Sequence, residues 1–209
     1  MTTSKAAARK ALVKMALVML LGLGAGVALF IATLRSTPEK TVAPNALADL
    51  SGLIDTQAMP FDANVLQGRY TLAYFGFTFC PDACPTALYN LTLALRQLDE
   101  NASRIQAVFV SVDPARDSPE KMADYLGHFS ANFIGLTGSA EDIQAVERRF
   151  GVIAIEHRDE TLPGGYTMDH SNEFLLFSPG GKLLMRLPAD QSVDVLLEQL
   201  RGLTRTESV

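Results

Sequence analysis

The chain has 209 residues, 48% of them hydrophobic, enough for one ordinary domain with a real core. Its 18 basic and 23 acidic residues give a formal net charge of −5. Five of the basic ones (Lys5, Arg9, Lys10, Lys14, Arg35) fall in the first 35 residues, leaving 13 basic against 23 acidic in the rest, a net of −10. That balance excludes nucleic acid as a partner, two cysteines are too few for a disulfide-stapled mini-protein, and the composition argues against disorder.

From Met15 to Leu34 run 20 residues without a charged group. At ~1.5 Å per residue they make a helix of roughly 30 Å, about the hydrocarbon thickness of a bilayer. Four basic residues precede this stretch and Arg35 alone follows it closely. The positive-inside rule therefore keeps residues 1–14 cytoplasmic and sends the rest across the membrane. The apolar stretch is longer than a signal-peptide core, and the nearest small-x-small pattern, Ala46-Leu47-Ala48, lies well downstream; an uncleaved anchor is expected over residues 15–34. Residues 35–49 mix Pro, Ala, Ser and Thr without period and read as a linker, so residues 50–205 form the folded domain.

Within that domain, residues 50–66 suggest a hairpin around Asp55 and Pro60, and the β-branched and aromatic run Tyr70–Phe77 suits a central strand. Leu88, Leu91, Leu95 and Leu98 keep helical spacing over a helix from Cys84 to Asp99. Ile105–Val112 is a second buried strand. Ser118-Pro119-Glu120 starts a helix that runs to Phe129, Asn132–Leu136 is a short strand, and Ser139 caps a helix that stops at Gly151. Val152–His157, Phe174–Phe177 and Lys182–Leu187 are strands, the last two joined by the turn Ser178-Pro179-Gly180-Gly181. A final helix spans Ser192–Leu203. The order predicts an α/β fold: a mixed sheet flanked by helices, closing on an antiparallel hairpin.

The chemistry concentrates at Cys80, Cys84 and His170. The stretch Phe77–Thr86 reads FTFCPDACPT, with Cys80 where a strand runs out and a helix begins. A thiolate there meets the positive end of the helix dipole, which lowers its pKa. If residues 80–84 form a helical turn, both sulfurs lie on one face and reach one metal ion. Inert buried cysteines and a structural disulfide remain open alternatives. Of the three histidines, His128 lies on a helix edge and His157 beside Arg158 and Asp159, both solvated settings. His170 follows a Pro-Gly-Gly turn just before a buried strand, where a loop folds over the cysteines. Two thiolates and an imidazole are a soft set that suits Cu(I), or Cu(II) with a weak axial partner such as Met168 or Asp82. Structural zinc would want a fourth ligand.

Three segments carry a resemblance. Gly76-Phe77-Thr78-Phe79-Cys80-Pro81-Asp82-Ala83-Cys84-Pro85, Ser111-Val112-Asp113-Pro114-Ala115-Arg116-Asp117-Ser118-Pro119 and Asp169-His170-Ser171 together resemble the Sco/SenC family of copper proteins over residues 45–205. Ser118 stands where that family usually has threonine, and Ser178 falls where many members have aspartate before the glycine turn. The resemblance implies a thioredoxin-like domain and copper held by Cys80, Cys84 and His170. It also implies a part in building the binuclear copper centre of cytochrome c oxidase. Asp113 and Arg116 read as residues of a loop closing over the sheet, outside the chemistry itself.

Two classes of function follow. The first is a metallochaperone, not an enzyme, in the bacterial inner membrane with its domain in the periplasm. Its partners would be the copper-receiving oxidase subunit, other periplasmic copper chaperones and thioredoxin-like reductants. The second is a thiol-disulfide oxidoreductase in which the Cys80/Cys84 redox disulfide keeps a partner's copper ligands reduced. The three-residue spacing, and the lack of a proline just before the strand at Phe174, weigh against a general reductase.

Overall fold

The computed structural model describes residues 45–129, 133–162 and 164–205. The basic N-terminus, the expected membrane span over 15–34 and most of the expected linker lie outside them. Among the described residues no helix is long and apolar enough to cross a membrane.

Strand β2 (Tyr70–Gly76) lies centrally because every one of its seven residues is buried. It pairs in parallel with β3 (Ile105–Ser111), itself wholly buried, and antiparallel with β7 (Glu173–Phe177). Outward from β3 come β4 (Phe133–Thr137), parallel, and then the two-residue β1 (Ile54–Asp55), antiparallel; beyond β7 lies β8 (Leu183–Pro188), also antiparallel. The result is a six-stranded mixed sheet in the order β1-β4-β3-β2-β7-β8, as the strand-helix alternation predicted.

Helix α1 (Ala83–Arg96) follows β2 and packs against the terminal helix α4 (Val193–Arg205). Helix α2 (Pro119–Gly127) brings Tyr125 onto Phe109, whose ring meets Tyr74. On the opposite face of the pleat, Phe150 of α3 (Ala140–Phe150) packs on Phe75 and Phe177. The sheet is thus covered on both faces, which is why its central strands read as unbroken apolar runs. The predicted caps form. Ser118 accepts from Lys121 N–H, Ser139 accepts from Asp142 N–H, and Gly151 takes the left-handed conformation that ends α3.

Three expectations are corrected. The hairpin over residues 50–66 reduces to one bridge, Ile54 to Pro60, between two short 3₁₀ turns, Ala46–Gly52 and Ala63–Leu66. A β-turn at Asp55 forms, but β1 takes its ladder partner from β4. The packed domain begins inside the stretch read as linker: Ala46 and Leu47 are fully buried, and Ala46 N–H donates to the Gly181 carbonyl. His170 lies at the end of a strand, not in a loop. β5 (Ala154–Arg158) and β6 (Tyr166–His170) form a two-stranded antiparallel hairpin outside the main sheet.

Candidate metal centre

Gly76 ends β2, and its missing side chain makes room for the site. A Cβ there would lie 2.9 Å from Cys84 Sγ, 2.9 Å from the Tyr74 ring and 3.1 Å from the Phe109 ring. The chain then turns, Cys80 N–H donating to the Phe77 carbonyl, and enters α1 at Ala83. Cys80 therefore precedes the helix and does not sit in its first turn as the spacing suggested. The helix still engages it: the Cys84 backbone N–H, an N-terminal donor without an intrahelical partner, donates to Cys80 Sγ at 3.3 Å. Cys84 is fully buried and Cys80 half-buried, and both are free thiols.

His170 reaches the cysteines from β6. Its ring stands edge-on to Tyr74 and to Phe77, each with centroids 5.8 Å apart, so two aromatic neighbours fix its plane. Nδ1 lies 3.1 Å from the Ser171 carbonyl oxygen. A carbonyl only accepts, so the hydrogen-bond pattern assigns the proton to Nδ1 and leaves the Nε2 lone pair facing Cys84 Sγ at 3.3 Å. The donor atoms of Cys80, Cys84 and His170 all lie within 4.8 Å of one another, the one such group among the described residues.

The two thiols are driven apart in acidity. The hydrogen bond from Cys84 is the largest influence on Cys80; with further hydrogen bonds from the Cys84 and Asp82 backbone, it outweighs burial and lowers the pKa to about 4. Cys84 moves the other way, because it gives its proton to that bond and is itself buried. The metal-free pair is a partly exposed Cys80 thiolate held by a buried Cys84 thiol.

Two residues that the sequence reading did not weigh support these ligands. Tyr74, whose ring meets that of His170, donates its hydroxyl proton to Asn172 Oδ1 at 2.9 Å. Asp117 is fully buried and accepts from Thr78 N–H, from Thr78 Oγ1–H at 2.6 Å and from Ser111 Oγ–H at 2.7 Å. It pins the segment two residues before Cys80. Burial raises its pKa, and those hydrogen bonds oppose the rise. A glycine closing an apolar strand was the signal available for Gly76. An aspartate in a loop carries no comparable one.

The remaining candidates stand apart. His128 is exposed at the end of α2, near the Tyr125 carbonyl, and His157 is an exposed partner of Asp169 at 2.9 Å. Asp82 is exposed and accepts from Thr86, while Met168 lines a groove with Val112, Ile143 and Val152. The turn at Ser178 closes normally, Gly181 N–H donating to the Ser178 carbonyl.

Fold and site define a class: a thioredoxin-like α/β protein whose Cys-x3-Cys pair is joined by a histidine from a hairpin beside the sheet. The SCO1/SenC family model matches residues 43–205, and the chain belongs to that family. It is 36% identical over 198 residues to the SCO2-like protein of Rickettsia felis, a match covering 91% of this chain and 96% of that one. Among solved structures it resembles the crystal structure of Arabidopsis thaliana ScoI with copper bound, with a TM-score of 0.69 and 34% identity over 74% of this chain and 95% of that one. Bradyrhizobium japonicum ScoI with copper bound follows at a TM-score of 0.65 and 32% identity, covering 72% and 94%.

Proposed function

We propose that this protein is a membrane-anchored copper metallochaperone that delivers copper to, or matures, the binuclear copper centre of cytochrome c oxidase. One observation carries the reading: two cysteine sulfurs and an imidazole lone pair converge within 4.8 Å, with Cys80 partly exposed. This soft donor set suits Cu(I), and related proteins have been solved with copper bound. Copper is the cargo, and the chain's own groups set how it is held and released. Cys80 already carries its charge, Cys84 loses its proton when metal arrives, and His170 offers a lone pair whose direction the Ser171 carbonyl fixes. Release by ligand exchange starts at Cys80, the sulfur that a partner's donor can reach.

The apolar span over residues 15–34, with basic residues ahead of it, supports an anchor in a bacterial inner membrane with the domain in the periplasm. The family resemblance of the three motifs supports a copper-receiving oxidase subunit as the partner.

A second reading rests on the half-buried, low-pKa Cys80 thiolate. In thiol-disulfide exchange it would attack a partner's disulfide, forming a mixed disulfide and expelling one partner thiolate. Cys84, deprotonated in turn, would displace the second partner thiolate and close a Cys80–Cys84 disulfide. The partner gains the two electrons that the pair loses. That disulfide also removes both copper thiolates, so the two roles exclude each other at any moment.

Anaerobic Cu(I) titration of the reduced full-length chain against a competing chelator tests the proposal. One tightly held copper per chain is expected, lost in Cys80→Ser and Cys84→Ser and much weakened in His170→Ala. Normal affinity in all three variants would overturn the site. If disulfide-reductase turnover survives in His170→Ala and copper binding is weak in the wild type, the second reading takes its place.

A further inference from the structure

His170 is carried on a hairpin that shares no ladder with the main sheet, so something else must hold it against the cysteines. At the His170 end the tie is local: Ser171 N–H donates to the Ile153 carbonyl, and Ile153 N–H to Ser171 Oγ. Beneath the hairpin, toward α3, lies an open groove of about 830 Å³ whose lining includes Ile143, Glu147, Ile153, Tyr166 and Met168. On that side the hairpin meets the core through two part-buried side chains, Ala154 and Met168.

The other end is held by Arg116. Its Nε pairs with Asp113 at 2.5 Å, and both side chains are largely buried, 10% and 3% exposed. One terminal nitrogen donates to the Tyr166 carbonyl at 2.9 Å, and the guanidinium lies 3.6 Å from the centre of the Tyr166 ring. The Tyr166 hydroxyl closes the circuit by donating to Asp113 Oδ1 at 2.7 Å. The same guanidinium also packs near Phe79, at 4.9 Å, and Phe77, at 5.7 Å. Phe79 is the neighbour of Cys80, and Phe77 is one of the two rings that flank His170. Gly164 completes the seat: its φ is +87°, and a Cβ there would lie 3.3 Å from Arg116 Cδ.

We infer that Arg116 is a positioning residue for copper binding, latching the His170 hairpin to the cysteine loop. The inference rests on the copper reading above. The loop from Ser111 to Asp117 becomes a two-armed brace. Asp117 holds Thr78, two residues before Cys80, and Arg116 holds Tyr166, four residues before His170. Arginine is required because a flat guanidinium stacks on rings while its edges donate to a carboxylate and a carbonyl; an ammonium cannot do both. Outer-shell partners of metal ligands are typically worth about 10–100-fold in affinity.

The test compares wild type, Arg116→Ala, Gly164→Ala, His170→Ala and the Arg116→Ala/His170→Ala double variant in the full-length chain. Cu(I) affinity is read by chelator competition, and the imidazole-nitrogen hyperfine coupling by electron paramagnetic resonance of the Cu(II)-loaded chain. Arg116→Ala should bind Cu(I) about tenfold or more weakly and lose much of the nitrogen coupling, and Gly164→Ala should show the same loss in smaller degree. The double variant should bind no more weakly than His170→Ala, because the latch acts through that histidine. Wild-type affinity and coupling in the arginine and glycine variants would overturn the inference, as would a lower melting temperature alone or additive losses in the double variant. If Arg116→Ala does not fold, Gly164→Ala decides by the same criteria. A wild type that binds no copper, or is indifferent to His170→Ala, would remove the copper reading and this inference with it.

Discussion

At the scale of single residues, the site is a matter of clearance and proton position. Gly76 exists to let the Cys84 sulfur rest on the end of β2, with Tyr74 and Phe109 on its other sides. Gly76→Ala should therefore cost about 1–3 kcal/mol of stability by overpacking, and should weaken copper binding by displacing Cys84. Urea unfolding and Cu(I) competition check both, and an unchanged variant would contradict the close contact. The acidity of Cys80 makes a second prediction. With a pKa of about 4, the metal-free thiol is ionised over the whole neutral range. Its alkylation by iodoacetamide should stay nearly constant from pH 8 to pH 5 and fall only as pH approaches 4. An ordinary thiol would slow roughly tenfold per pH unit below about 8.5. Mass-spectrometric rates at Cys80 distinguish the two.

At the scale of elements, what was legible in the sequence was what local chemistry determines. Ser118-Pro119-Glu120 and Ser139 with Gly151 announced α2 and α3, because caps and a left-handed stop are written in adjacent residues. Ser139→Ala should destabilise the domain by about 1 kcal/mol, a fall of roughly 2–4 °C in melting temperature, without altering copper affinity. Calorimetry beside Cu(I) titration checks it; a loss of affinity would mean that α3 reports to the site more directly than the contacts show. The element that was not legible is β6. Tyr166–His170 alternates only Tyr166 and Met168 with polar residues, because the hairpin it forms with β5 is largely solvated and buries its inner side chains only in part. Its strand character comes from pairing with Ala154–Arg158, a partner that periodicity cannot name. The expected hairpin near Asp55 failed for the matching reason: β1 finds its ladder in β4, some eighty residues away.

At the scale of the whole molecule, the sequence carried the mixed, helix-flanked sheet with its antiparallel closing hairpin and pointed to Cys80, Cys84 and His170, which the fold brings together; it left out the strand order and how the three are braced. Buried runs such as Tyr70–Gly76 and Ile105–Ser111 leave a strand little choice but the middle of a two-faced sheet. The brace from Asp113 to Asp117 depends on contacts across forty to fifty residues, to Thr78 and to Tyr166, which no local pattern encodes. Global stability should also register Glu147, which lines the groove beneath the hairpin, half-buried. Burial raises its pKa to about 7, above the ordinary 4.5. Between those values the native state holds a proton that the unfolded chain has lost, so stability falls as pH rises through this window. Glu147→Gln should accordingly raise the melting temperature at pH 8 and change it little at pH 4.5. An equal effect at both would contradict the burial cost.

The central claim is that copper is held by two sulfurs and one imidazole nitrogen of this chain. Copper-edge X-ray absorption on the anaerobic Cu(I)-loaded full-length protein tests it most directly, with His170→Ala alongside. The account predicts a three-donor shell of two sulfurs and one nitrogen in the wild type, and loss of the imidazole scattering in the variant. A wild-type shell without imidazole scattering, or one unchanged by His170→Ala, would contradict it.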